Sequence, residues 1–212
     1  PWTDWGDIIP ERKSTLSLPD GFLTRQWPSV EYRGVFINDE DWSSRVWAKN
    51  ISGKHAKDGE MGPPFYRRLF TLLLRLRANA FWPAMHEGTT AFFKVKGNRE
   101  LADSCDMVVG TSHCEPMLRN NVGEWDEKKR GAFNFITNRH NVTEYWSERL
   151  RETASMDALY TIGMRGIHDG SMQGVKTAEE KLNGLQSVID EQRKLMHKHL
   201  GRKSADIPQV FV

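Results

Sequence analysis

Four apolar runs in this chain end in side chains that can move protons or hold charge. Residues 107–117 (MVVGTSHCEPM) deliver His113 and Glu115, two positions apart, after a run of buried type. Residues 31–41 (EYRGVFINDED) deliver acids, Asp39 first among them. Residues 80–87 (AFWPAMHE) end in Trp82, Met85, His86 and Glu87, and residues 159–169 (LYTIGMRGIHD) end in Arg165, His168 and Asp169. A fifth run, IPQVFV, opens at Ile207. Carboxyl groups, imidazoles and a guanidinium at neighbouring strand ends would suit acid–base chemistry on a charged substrate.

Such ends must be held by elements that repeat in register. Buried parallel strands read as continuous apolar runs, and in α/β barrels the chemistry sits where those strands finish. Helical patterns lie between the runs. Residues 63–79 begin with Pro63 and Pro64 and place Phe65, Leu69, Leu72, Leu73 and Leu76 at helical spacing, with Asn79 as the stop. A short helix is predicted over 98–105 and another over 144–156, with Asn141 or Thr143 as its N-cap. Over 177–200, Thr177 and Glu180 have capping-box spacing, Leu182, Leu185, Val188, Ile189, Gln192, Leu195 and Met196 mark one face, and Gly201 closes the helix.

Alternating strands and helices of this kind predict an α/β fold with a parallel sheet. Most of the extra length falls after the third strand, over 113–141, as expected where a site is being built. Residues 1–30 carry four Pro and three Trp and read as an irregular lead-in; residues 31–212 read as the barrel-like part. Five strands do not close an eight-stranded barrel, which takes about 250 residues. The last strand stops at Val212 with no helix behind it, so the expectation is the first five βα units of a (β/α)8 TIM barrel.

The composition narrows the function classes. Thirty basic and 28 acidic residues are mixed along the 212-residue chain, with a net charge of +2, so no clustered basic footprint for nucleic acid is present. No apolar stretch is long enough to cross a bilayer; the strongest, 69–76, is broken by Arg75. Two cysteines, Cys105 and Cys114, give no disulfide framework, and their places before and after one strand make a bridge awkward. Eight tryptophans suit a sugar cleft, although Trp is also a good core residue. The sequons at Asn50 and Asn141 suit a secreted protein, but such tripeptides arise often by chance.

Together, residues 32–42 (YRGVFINDEDW), 81–85 (FWPAM), 110–117 (GTSHCEPM) and 163–169 (GMRGIHD) resemble the catalytic-domain motifs of family 115 glycoside hydrolases, from about Trp5 to the last residue. That family comprises xylan α-1,2-glucuronidases. The resemblance implies a (β/α)8 catalytic barrel, an inverting mechanism, and removal of glucuronic acid or 4-O-methylglucuronic acid from glucuronoxylan or xylo-oligosaccharides. It carries Asp39, Trp82, His113, Arg165 and Asp169 to pocket-lining positions, and it implies a principal catalytic Glu a few residues past Val212, which this chain does not contain. Asp39 and Asp169 are then the expected catalytic carboxyl groups, with Trp82, His113, Glu115 and Arg165 binding substrate. Two carboxyls flanking the scissile bond are what glycoside hydrolysis needs, and the planar fork of Arg165 suits a sugar carboxylate. No cofactor and no metal are expected. Nor is a nucleic-acid or membrane partner; a homo-oligomer of the full-length protein stays open. The compartment expected is extracellular.

Each residue has an ordinary alternative. The acids at 39–41 could be a solvated turn or an N-cap. Glu115, before Pro116, could be an ion-pair partner for Arg119, Arg165 could tie strand ends together through Asp169 or Asp39, and Trp82 could be core. Among functions, a truncated barrel could be an inactive carbohydrate-binding remnant. A metal-dependent hydrolase would use His113-x-Glu115 and His168-Asp169, but neither His-Glu-x-x-His nor the Pro-Cys-x-x-Cys of zinc deaminases occurs. No Gly-x-Gly-x-x-Gly or P-loop supports redox or nucleotide chemistry.

Overall fold

The computed structural model describes residues 13–38, 44–52, 57, 60–172 and 174–211. Residues 13–33 carry no helix or strand. The elements then follow in order: β1 (Gly34–Phe36), α1 (Ser44–Ser52), α2 (Pro63–Arg75), β2 (Ala80–Trp82), α3 (Asn98–Ser104) and β3 (Val108–Gly110). After these come α4 (Asn121–Glu124), α5 (Glu127–Arg130), α6 (Arg139–Glu152), β4 (Ala158–Ile162), α7 (Ala178–Leu200) and β5 (Gln209–Phe211).

The five strands form one sheet in the order β1-β2-β3-β4-β5, and every neighbouring pair is parallel. Sequential order means each crossover steps the same way, and right-handed crossovers then put all connecting helices on one face. The register agrees. Phe81, Val109, Ala158 and Tyr160 share the helix-facing side. Trp82, Gly110 and Leu159 alternate to the other side, where a hollow of about 270 Å³ also meets Phe36.

Two apolar clusters fill the space between sheet and helices. Phe65, Tyr66, Leu69 and Phe70 of α2 pack with Phe81 and Val109. Val142, Tyr145, Trp146 and Leu150 of α6 meet Val188, Ile189, Leu195 and Met196 of α7 over Tyr160 and Ile162. Phe93 packs against both clusters.

Local chemistry explains where the elements end. The capping box of α7 is complete: Glu180 N donates to Thr177 Oγ1 at 3.1 Å, and the Glu180 carboxylate accepts from Thr177 N at 3.0 Å. Gly201 closes the helix at φ 66°. Leu182, placed by its spacing on the apolar face, is exposed instead: it is the fifth residue of the helix and precedes its first buried position, Gly184. Helix α2 stops at Arg75, four residues short of the expected Asn79. Arg77 adopts a left-handed φ of 62°, which turns the chain, and Asn79 is used to start the sheet. Its Oδ1 accepts from Arg33 N at 3.0 Å and its amide donates to Glu31 O at 3.0 Å. Helix α6 begins at Arg139, ahead of the expected 144, and Thr153 ends it by donating its hydroxyl to Arg149 O. Helix α3 matches its expected span to one residue, whereas α1, α4 and α5 were not expected. Both cysteines are free thiols, and among the described residues no helix is long and apolar enough to cross a membrane.

Candidate active site

The loops after β3 and β4 bring three of the expected residues together. His113 Nε2 lies 2.8 Å from Asp169 Oδ1, and Arg165 Nη1 donates to the same oxygen at 3.3 Å while its Nη2 donates to the Asp169 carbonyl at 3.2 Å. His168 Nδ1 stands 3.2 Å from Asp169 Oδ2. The His113, Asp169 and Arg165 side chains remain 45 %, 58 % and 41 % exposed, so a solute can reach all three. His86, from the loop after β2, faces His168 with ring centroids 6.1 Å apart. The hydrogen bond from His113, reinforced by the His168 and Arg165 charges, holds the Asp169 carboxyl below the ordinary aspartate range. Asp169 is therefore a carboxylate near neutral pH.

The sheet and α7 set these positions. Beyond β4, Gly163 is fixed by the side chain of Gln192 on α7: Gly163 N donates to Gln192 Oε1 and Gln192 Nε2 donates to Gly163 O, both at 2.8 Å. Gln192 is fully buried, and this pair of hydrogen bonds to one residue sets the path into Met164 and Arg165. Past it, Gly166 N donates to Gly170 O at 2.8 Å and closes the turn that returns Asp169 to Arg165. His168 holds a φ of 53° within that turn. A non-glycine residue there costs about 1–3 kcal/mol, an expense met at functional loops.

The loop after β3 is held by its own polar groups. Thr161 Oγ1 of β4 donates to Thr111 O at 2.6 Å, and Thr111 Oγ1 donates to Glu115 O at 2.6 Å. Glu115 itself is buried, and its Oε2 accepts from the Ser112 hydroxyl at 3.0 Å and from Ser112 N at 3.3 Å. Arg119, weighed above as its partner, instead pairs with Glu124 and Glu148. The Glu115 carboxylate thus faces inward from the loop that carries His113. Between them Cys114 is buried, its Sγ 3.7 Å from Met85 Sδ, and burial pushes its thiol up from the ordinary value.

Trp82 is half-buried at the end of β2, edge-on to Phe36 with centroids 5.6 Å apart. Its indole Nε1 lies against Gly110 so closely that an added Cβ there would overlap it. Gly110→Ala should therefore displace the indole, at a cost of about 1–3 kcal/mol from overpacking. Tryptophan fluorescence and urea unfolding would register the change; an unaltered spectrum with unaltered stability would remove the contact. Asp39 lies outside the described residues.

Sequence reasoning passed over two contributors, Gln192 and Cys114. A glutamine on the apolar face of an otherwise greasy helix was the available signal for Gln192. Cys114, between the two residues singled out for chemistry, carried no signal of its own. Among the described residues, the donor atoms of His113, Cys114 and Asp169 lie within 4.8 Å of one another.

The family model "Glycosyl hydrolase family 115" matches residues 25–212. No curated protein matches the chain. A solved structure described as a novel family GH115 4-O-methyl-alpha-glucuronidase, BtGH115A, with specificity for decorated arabinogalactans, superposes with a TM-score of 0.89 at 47 % identity. The match covers 98 % of this chain but 27 % of that one, so the chain spans about a quarter of its relative.

Proposed function

Because this chain belongs to glycosyl hydrolase family 115, we propose that it builds part of an α-glucuronidase site that removes α-1,2-linked glucuronic acid, or its 4-O-methyl ether, from glucuronoxylan. The observation that carries the proposal is the convergence of Arg165, His113 and Asp169 from two separate loops into one accessible cluster. Arg165 and His113 hold the sugar carboxylate, and Trp82 shapes the wall of the pocket. Asp39 and Asp169 are the carboxyl groups proposed for chemistry. In an inverting reaction one acid protonates the leaving sugar oxygen while a carboxylate on the opposite face activates water, the two about 6.5–9.5 Å apart. The lowered pKa of Asp169 fits a base or a charge partner, since a general acid must keep its proton near the working pH. Glu115 enters by steadying the loop on which His113 stands.

The sequential parallel sheet supports reading residues 31–212 as five βα units of a (β/α)8 barrel, with residues 1–30 as the lead-in. The catalytic Glu implied by the family would follow β5. The polysaccharide substrate favours an extracellular setting, and a homo-oligomer of the longer protein is compatible with it. A second substrate reading, decorated arabinogalactans, is favoured by the specificity stated for the 47 %-identical relative.

Release of glucuronic acid from glucuronoxylan and from arabinogalactan, by this chain and by a version extended past Val212, tests the reading. Release by the extended form is expected; binding of xylo-oligosaccharides without release by either form would favour the inactive remnant. Arg165→Ala should lower kcat/KM on uronate substrates roughly 10- to 150-fold, the loss of a hydrogen bond to a charged group. Neutral aryl glycosides should change far less. Equal losses on both would remove the carboxylate-binding role.

A further inference from the structure

We propose that His113, Cys114 and Asp169 form a zinc site that competes with the glycosidase arrangement. The three donors come from two loops and their ligand atoms already lie within 4.8 Å of one another. A tetrahedral zinc ion takes imidazole nitrogen at about 2.0–2.1 Å, thiolate sulfur at about 2.3 Å and carboxylate oxygen at about 2.0–2.2 Å, so only small side-chain adjustments close the set. The donor chemistry is selective. A thiol beside an imidazole disfavours magnesium and calcium, which take oxygen ligands, and suits zinc. Cys114 has no part in the hydrolysis proposed above, yet its sulfur sits beside a second soft atom, Met85 Sδ, at 3.7 Å.

Binding balances as an exchange of one proton for one metal ion. The Cys114 thiol proton passes to buffer as the sulfur–zinc bond forms, His113 binds as the tautomer protonated on Nδ1 so that the Nε2 now donating to Asp169 offers its lone pair instead, and Asp169 enters as the carboxylate. The metal then holds the oxygen that Arg165 and His113 contact, so it opposes turnover. That last consequence rests on the glucuronidase reading; the binding itself does not.

The 212-residue chain, reduced and freed of metal, should be titrated with cobalt(II) as a spectroscopic substitute and then with zinc. Expected are one ion per chain, one proton released per ion, a near-ultraviolet thiolate-to-cobalt band, and displacement of cobalt by zinc. Cys114→Ser should abolish the band, and His113→Ala and Asp169→Asn should each weaken binding at least about tenfold, as even outer-shell changes do at metal sites. Cys105→Ser should change nothing. A band that survives Cys114→Ser, or that disappears with Cys105→Ser, overturns the site. If Cys114→Ser loses its circular dichroism, Asp169→Asn, which alters an exposed side chain, decides: undiminished binding overturns the proposal. Glucuronic acid release by the extended form, measured with zinc and again after chelation, separates the two ideas. Binding with reversible inhibition supports both, whereas binding without inhibition keeps the metal site and counts against Asp169 as a working carboxylate.

Discussion

On the proposed function, Asp169→Asn in the form extended past Val212 should lower kcat by about 10²- to 10⁴-fold, the range over which a positioned acid or base contributes. The substitution keeps the shape of the side chain and removes its charge, and KM should move far less than kcat. The pH profile should carry the same signature. Asp169 has a folded pKa below its ordinary value, so the active carboxylate is fully present above that range and is lost only as pH falls through the lowered pKa. The His113 hydrogen bond is the foremost cause, followed by the His168 charge and then that of Arg165. His113→Ala should therefore shift the acid limb of kcat/KM to higher pH, and Arg165→Ala should do so by less. An unmoved limb in His113→Ala would detach Asp169 from the profile. Melting temperature should hold in Asp169→Asn, because exposed ion pairs contribute little to stability.

Glu124→Ala should destabilise the chain by about 3–5 kcal/mol, the cost of breaking a buried ion pair from one side. The Glu124 carboxylate accepts from Arg119 Nη1 at 2.7 Å, from Asn120 N at 3.0 Å and from Arg149 Nη2. Its side chain and that of Arg149 are 5 % and 2 % exposed. Burial already lowers the Arg149 pKa, and the attraction of Glu124 is what chiefly opposes that. Arg149 also lies 3.9 Å above the Phe93 ring, between the two apolar clusters. By contrast Glu144→Ala, which removes an exposed partner of Arg151, should cost about 1 kcal/mol or less. Urea unfolding of both variants tests the contrast. Similar losses in the two would mean that the buried network is no more than a surface pair in effect. Glu124→Leu combined with Arg149→Met should recover part of the loss, since replacing both charges removes the stranded one.

The strand ends were legible because a buried parallel strand must be apolar throughout while the loop beyond it is free to be polar. That contrast marked β1 to β5, and it placed His113, Arg165 and Asp169 near one another before any coordinates. Helix α7 was legible for the same local reason, its cap and its glycine being written in adjacent residues. Less was readable where a residue's partner lies far along the chain. Asn79 had the look of a helix stop, but its amide serves Glu31 and Arg33, 48 and 46 residues away. The short turns α4 and α5 lack an apolar period and are held by Asn120 and Asp126 caps and by the Glu124 network. Glu115 looked like a site acid from its position, while only the fold reveals that Ser112 draws it inward.

The amide of Gln192 spends both of its ends on one residue, Gly163, and this has a bearing on how the protein could be altered. The arm bearing Arg165 hangs from the interior of a 23-residue helix, rather than from the segment that follows it. On the proposed function, residues 171–176, beyond the Gly166–Gly170 turn, could then be lengthened or exchanged to suit a different polysaccharide branch without loosening the cationic fork. Diversity in what surrounds the uronic acid, and constancy in what grips it, would be separable traits in such a scaffold.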